Sequence, residues 1–255
     1  MESKIITNVV PKNWQPAELE LQGKNILITG ASSGIGRTAA LHCAKYGATV
    51  ILLGRNQEKL EQVYDEIVEL GYAEPMLYIL DLASAGIDEY QTLARAIEEE
   101  LKQLDVLLLN AAILGQRAPI SSFRPEIWQR TMKINVDSCF YLCRYLLPSL
   151  QKSEHGRILF TSSSVGRAGR AYWGAYAVSK FAVEGLMQTL ADELENVSKV
   201  RVNSINPKAT RSDMRAQAYP GEDPRTLKTP EQLMSLYLYL MSAQSQHIHG
   251  QMVDY

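Results

Sequence analysis

Several scarcities narrow what this 255-residue chain can be. It has only three cysteines, Cys43, Cys139 and Cys143, so at least one lacks an intrachain partner and no disulfide framework can organise the fold. Cys139 and Cys143 are four apart, as core neighbours on a helix are, and no further ligand lies nearby. No metal is expected, and the setting expected is reducing and cytoplasmic. Charge of one sign is not in excess: 26 Lys and Arg against 28 Asp and Glu give a net −2. That leaves no global basic field for nucleic acid or an acidic membrane surface. No apolar run reaches the roughly 18 residues of a spanning helix. The opening "MESKIITNVVPKNWQPAELELQGK" lacks the basic start and apolar core of a signal peptide. Internal repeats and long low-complexity linkers are also absent.

What is present is 46% apolar residues, arranged as short strand-like runs between helix-length segments. The runs are 25–29, 49–53, 76–80, 105–110, 157–161 and 200–205, with a final "QMVDY". Most are continuously apolar instead of alternating. Such strands are covered on both faces, which predicts an α/β fold with a parallel sheet between helices. The helical segments are about 34–46, 57–70, 87–103, 125–149, 174–195 and 230–242. Residues 1–23 form an N-terminal arm, either loose or lying across a neighbouring surface, and 24–255 form one domain. Residues 207–229, rich in charge and proline, are either a solvated loop or a flap over a ligand at a strand's carboxyl end.

"ILITGASSGIGRTAALHCAKYG" reads as strand, tight turn and helix, with Gly30, Gly34 and Gly36 spaced G-x-x-x-G-x-G. Glycine lets the main chain turn sharply and approach a bulky anion. The helix starting near Gly34 presents free N–H groups and its positive dipole end, a seat for pyrophosphate. A P-loop would need Lys-Ser or Lys-Thr after the last glycine; Arg37-Thr38 stands there at the wrong spacing. An acid commonly ends the next strand in NAD binders, where it holds the ribose hydroxyls. Here Gly54 takes that place and Arg55 follows, which favours NADP(H), since a guanidinium grips a 2′-phosphate. Ser32 and Ser33 can add hydroxyl bonds to that phosphate. Asp81-Leu82 closes the third strand and either edges the adenine or, for Asp81, makes a turn.

Tyr176 and Lys180 lie one turn apart on one helix face, among small residues that leave room for a cofactor. A free phenol titrates near ~10. A nearby ammonium is expected to lower that value and make the phenol a usable acid for a carbonyl receiving hydride, or a base for the reverse. Ser163 sits thirteen residues upstream at a strand's carboxyl end, flanked by Ser162 and Ser164. Asn135, a poor helix former inside a helix, marks a kink, a core hydrogen bond or a site residue. His247 and His249 are expected in a solvated turn, not as a metal pair.

The motifs "TGASSGIG", "LLLNAA", "KINV", "FTSSSVG", "YAVSK" and "INPKAT", in that order, resemble the classical short-chain dehydrogenase/reductase family from Lys24 to Tyr255. The resemblance implies a single doubly wound, Rossmann-type sheet of seven parallel strands with helices on both faces. It implies a tetrad of Asn135, Ser163, Tyr176 and Lys180. Tyr176 would be the acid/base. Lys180 would lower its pKa and bind the nicotinamide ribose. Ser163 would orient the substrate oxygen, and Asn135 would hold a relay water. Gly30, Ser32, Ser33, Gly34, Ile35, Gly36, Arg55, Asp81, Leu82, Asn110, Ala111, Tyr176, Lys180, Pro207 and Thr210 would hold the cofactor, Thr210 at the carboxamide. The substrate would be a small carbonyl or secondary alcohol. The chain would form a homodimer or homotetramer through 125–149 and 174–195, with Cys139 and Cys143 at the seam.

Two motifs depart from the family pattern. Asn-Asn-Ala-Gly is here Leu109-Asn110-Ala111-Ala112, and Pro-Gly is Pro207-Lys208. A lysine at a positive φ would carry strain of order ~1 kcal/mol. These departures leave a second expectation open, a nucleotide-binding sensor or scaffold with little turnover.

Overall fold

The computed structural model describes residues 3–255. Its centre is built from the continuously apolar runs. These are β2 (Asn25–Thr29), β3 (Thr49–Gly54), β5 (Val106–Leu109) and β6 (Arg157–Thr161). Nearly all their residues are buried, as strands covered on both faces require. Outside them lie β4 (Met76–Ile79), β7 (Arg201–Asn206) and β8 (Met252–Asp254). The sheet has one strand more than expected: β1 (Ile5–Thr7), from the N-terminal arm, pairs parallel with β8 in register Ile5↔Met252. Three residues with an exposed–intermediate–exposed pattern give no sequence signal, and their partner is at the other end of the chain. The order is β1-β8-β7-β6-β5-β2-β3-β4, all parallel. Strand order reverses between β2 and β5, and ligands of such sheets bind outside the carboxyl ends at that crevice.

One core packs α1 (Gly34–Lys45), α2 (Gln57–Glu69) and α8 (Pro230–Met241) on one face of the sheet. The other face packs α3 (Ile87–Leu101), α5 (Ser138–Leu150) and α6 (Gly174–Leu194). The arm closes the first core with Trp14, edge-on to Tyr239 at 5.2 Å.

Three further expectations change. The helix expected over 125–149 is interrupted: α4 (Pro125–Met132) gives way to a wider π-helical turn, Lys133–Asp137, before α5. Cys139 and Cys143 point into the chain's own core instead of a seam between copies, and burial pushes the Cys139 thiol up to about 11. His249 is not in a solvated turn. It is buried, its Nδ1 accepts from Val202 N at 3.0 Å, and its Nε2 stands 2.9 Å from Ala191 O. These partners fix a neutral ring that ties β7 to α6. His247 is exposed, and no metal-holding group of His, Cys, Asp or Glu occurs among the described residues. The segment 207–229 contains α7 (Asp213–Ala218), capped by the Ser212 side chain, and one further turn at Pro224–Thr226.

Candidate active site

A cleft of about 610 Å³ runs along the carboxyl ends of the strands. Gly30, Ser32, Ser33, Gly34 and Ile35 line its nucleotide end. Gly30 and Gly34 have φ +68° and +52°, angles a side chain would resist. Gly36 is not in the wall. A Cβ there would meet Gly30 O at 2.3 Å and Asn110 Nδ2 at 2.8 Å, so glycine here permits the close approach of α1 to the strand ends. Ser33 precedes α1 with extended backbone, yet its side chain makes no capping bond, and the first turn holds no acid. The helix N-terminus therefore keeps its donors and positive end for an outside anion.

Arg55 continues this wall beyond Gly54. Sequence reasoning missed Lys59, four residues on, at the start of α2, whose amide donates to the capping Asn56 Oδ1 at 2.8 Å. The spacing from Arg55 was its available signal. Neither cation has an ion-pair partner among the described residues, whereas Arg37 is tied to Glu66. A phosphate beside the ribose fits this acid-free pair. Asp81 and Leu82 stand across from it, and Asp81 Oδ1 also accepts from Ala83 N at 3.0 Å, so Asp81 both makes the turn and lines the cleft. Asn110 and Ala111 line the middle. Asn110 Nδ2 donates to Thr29 O at 3.3 Å and its Oδ1 accepts from Thr161 Oγ1 at 3.3 Å, clamping three strand ends together.

At the other end, Ser163, Tyr176 and Lys180 meet in the wall. Tyr176 is 8% exposed and Lys180 3%. Burial pushes the Tyr176 phenol up to about 12, against a hydrogen bond from Ser163 that acts the other way. The expected lowering by Lys180 is not what governs the phenol here: desolvation of the phenolate wins. The Lys180 Nζ lies 5.7 Å from the Tyr176 ring centroid and donates to Thr161 O at 2.7 Å. Burial brings Lys180 down to about 8, with Cys139 and Glu184 opposing. Ser162 Oγ, also in this wall, is buried without a partner.

Asn135 is not in the wall. Its Nδ2 donates to Ile113 O and Ser179 Oγ, both at 3.0 Å, and its Oδ1 accepts from Ile113 N at 2.9 Å. The side-chain amide thus joins the π-helical turn to α6 and to the chain after β5. Those partners, 22 and 44 residues away, are invisible in sequence.

The family model for the short chain dehydrogenases matches residues 24–223. The chain belongs to that family. It is 51% identical over 242 residues to the uncharacterised oxidoreductase YciK of Escherichia coli K12, covering 95% of each. Among solved structures, a short chain dehydrogenase from Shigella flexneri 2a complexed with NADP superposes with a TM-score of 0.91 at 52% identity, over 93% of this chain and 99% of that one. One from E. coli CFT073 complexed with NADPH gives 0.91 at 51% identity, over 94% and 99%.

The family departures are now placed. Lys208 has φ +55°, so the conformation that favours glycine is kept with a lysine in it. Its Nζ is drawn to Asp254 Oδ2 at 3.4 Å, and Asp254 also pairs with Arg167. Pro207 and Thr210 line the cleft, with Thr210 Oγ1 donating to Pro207 O at 2.9 Å. Ala112 is in the wall beside Ala111. Trp173, another wall residue not foreseen, packs 5.7 Å from the Tyr176 ring.

Proposed function

We propose that the chain is an NADP(H)-dependent oxidoreductase that interconverts a carbonyl compound and its alcohol, with Tyr176 as acid/base. The observation that carries this reading is a buried Tyr176 beside Ser163 in the same cleft as a nucleotide cradle bearing Arg55 and Lys59, neither of which pairs with a carboxylate among the described residues. The relatives solved with NADP and NADPH support the same cofactor.

When bound, NADPH supplies the hydride. Gly30, Gly34 and the first turn of α1 hold its pyrophosphate, and Arg55 and Lys59 its 2′-phosphate. Asp81, Leu82, Asn110 and Ala111 seat the adenosine half; Pro207 and Thr210 line the nicotinamide half, and Lys180 holds the ribose. Ser163 orients the substrate oxygen. Tyr176 keeps its proton at neutral pH, because burial disfavours the phenolate, and gives it up to the oxygen on which negative charge develops. The Lys180 cation, anchored on Thr161 O, stabilises the phenolate left behind. Asn135 acts as a positioning residue through Ile113 and Ser179.

The alternative, a sensor with little turnover, rested on Lys208 and Ala112. Both line the cleft, and the Lys208 amine, though half exposed, pairs with Asp254 at 3.4 Å, which favours a lysine drawn aside from the nicotinamide over one that blocks it. Exposed Phe140 on α5, with Val178 and Phe181 on α6, supports a homodimer or homotetramer through these helices. Three unpaired, buried cysteines support a cytoplasmic setting. No helix among the described residues is long and apolar enough to cross a membrane. The test is NADPH consumption across a panel of aldehydes and ketones, with nucleotide binding followed by fluorescence. Turnover of at least one class supports the proposal; tight NADPH binding with no turnover on any class contradicts it.

A further inference from the structure

Trp173 immediately precedes α6 in the cleft wall beside Tyr176. It is 7% exposed, and its indole Nε1 has no hydrogen-bond partner. Trp14, by contrast, donates its Nε1 to Gln244 Oε1 at 3.1 Å. An unmet buried donor is costly, and nearly all such groups find partners. The wall of a binding cleft is where a bound molecule can supply the missing acceptor.

Arginines gather around the same ring. The Arg117 guanidinium lies 5.0 Å from the Trp173 ring and 5.4 Å from the Tyr219 ring. Arg170 lies 6.0 and 5.8 Å from the same two rings and donates to the Tyr219 hydroxyl at 2.7 Å. Arg215 stands 3.8 Å from the Tyr219 ring. Only Arg215 meets a carboxylate, Glu222, through two bonds of 2.6 Å. Arg117 donates to the Ala218 carbonyl. Neither Arg117 nor Arg170 has an acidic partner among the described residues. Of the three, Arg215 lines the cleft, while Arg117 and Arg170 are exposed and stack on the Trp173 and Tyr219 rings just outside its wall; stacked, uncompensated guanidiniums present flat forks that suit a carboxylate. Between them and Tyr176 the wall is apolar, with Leu114, Met214 and Ala218 around Trp173.

We propose that the substrate is a keto acid or aldehyde acid: a carbonyl compound with an apolar middle and a carboxylate at its far end. This rests on the oxidoreductase reading above and names its substrate class. Trp173 Nε1 donates to an oxygen of the substrate, and Arg117 and Arg170 neutralise the carboxylate. The carbonyl carbon takes a hydride from NADPH and its oxygen takes the Tyr176 proton. The products are an alcohol and NADP⁺, with the carboxylate unchanged.

The test compares keto acids of graded chain length with their methyl esters. The best acid is expected to exceed its ester in kcat/KM by at least about tenfold, the size of one charge-assisted bond. Trp173→Phe and Arg170→Gln each reduce that ratio severalfold, and Arg117→Gln with Arg170→Gln brings it close to one. Retained NADPH binding shows that each variant is folded. Esters reduced as well as acids, or a ratio unmoved by the substitutions, would overturn the inference while leaving the oxidoreductase reading intact. A second arm titrates the hydroxy acids and their esters calorimetrically into NADP⁺-saturated protein. Preference for the acids without turnover of any carbonyl would uphold the anion site and sink the oxidoreductase reading; no preference would overturn the inference.

Discussion

At the β3 end of the cleft, Arg55 and Lys59 stand exposed, charged and without carboxylate partners. At the β6 end, Tyr176 and Lys180 are 8% and 3% exposed, and burial moves their proton affinities in opposite directions. The first end works by solvated charge, which is sensitive to salt and tolerant of small displacements. The second works by desolvation, which holds the phenol protonated and loosens the lysine's proton. On the proposed function, recognition and chemistry are therefore separable along one groove.

The largest effect tests the buried end. Tyr176→Phe removes the only proton the mechanism delivers. The turnover number should fall by about 10²–10⁴, the range of general acid catalysis, with NADPH still bound. A loss of binding equal to the loss of rate would erase the separation. At the exposed end, Arg55→Gln should weaken NADPH by roughly 10–100-fold, the value of a charge-assisted bond, and leave NADH nearly unaffected. Equal weakening of both would remove the 2′-phosphate from Arg55. The pH dependence sharpens the same contrast. Lys180 falls from an ordinary 10.5 to about 8, so it carries its charge below that value and loses it above. Reduction should decline as pH rises through about 8; a rate flat to pH 10 would contradict this. The same lowered value gives a stability contribution that grows from pH 8 to 10.5, opposite in sign to that of Tyr176, whose raised value costs stability between pH 10 and about 12. The smallest effect lies at the join of β7 to the segment 207–229. Lys208→Gly relieves a positive φ and should raise stability by about 1 kcal/mol in denaturant unfolding, less whatever the Asp254 pair contributes.

What was legible in sequence follows the range of the physics. β2, β3, β5 and β6 declare themselves because each is apolar throughout, and the glycine turn because its spacing is local. Gly36, read only as a cofactor residue, is also held to glycine by the Gly30 carbonyl behind it. β1 was hidden because its partner is β8. His249 was misjudged for the same reason, since Val202 and Ala191 are distant in sequence, and Ser179 is equally remote from the Asn135 it joins. The proton affinity of Tyr176 was read from its neighbour one turn away, but its own burial decides it, and burial is a property of the whole fold. Trp173 stood in plain view three residues before Tyr176; only the folded chain reveals its unpaired nitrogen.

The central claim is that desolvation, not the adjacent ammonium, sets the Tyr176 phenol in the nucleotide-free protein. A pH titration of phenolate absorbance, wild type minus Tyr176→Phe, reads it directly. The account predicts no difference signal up to pH 10 and onset toward about 12. A difference signal appearing between pH 7 and 9 would contradict it.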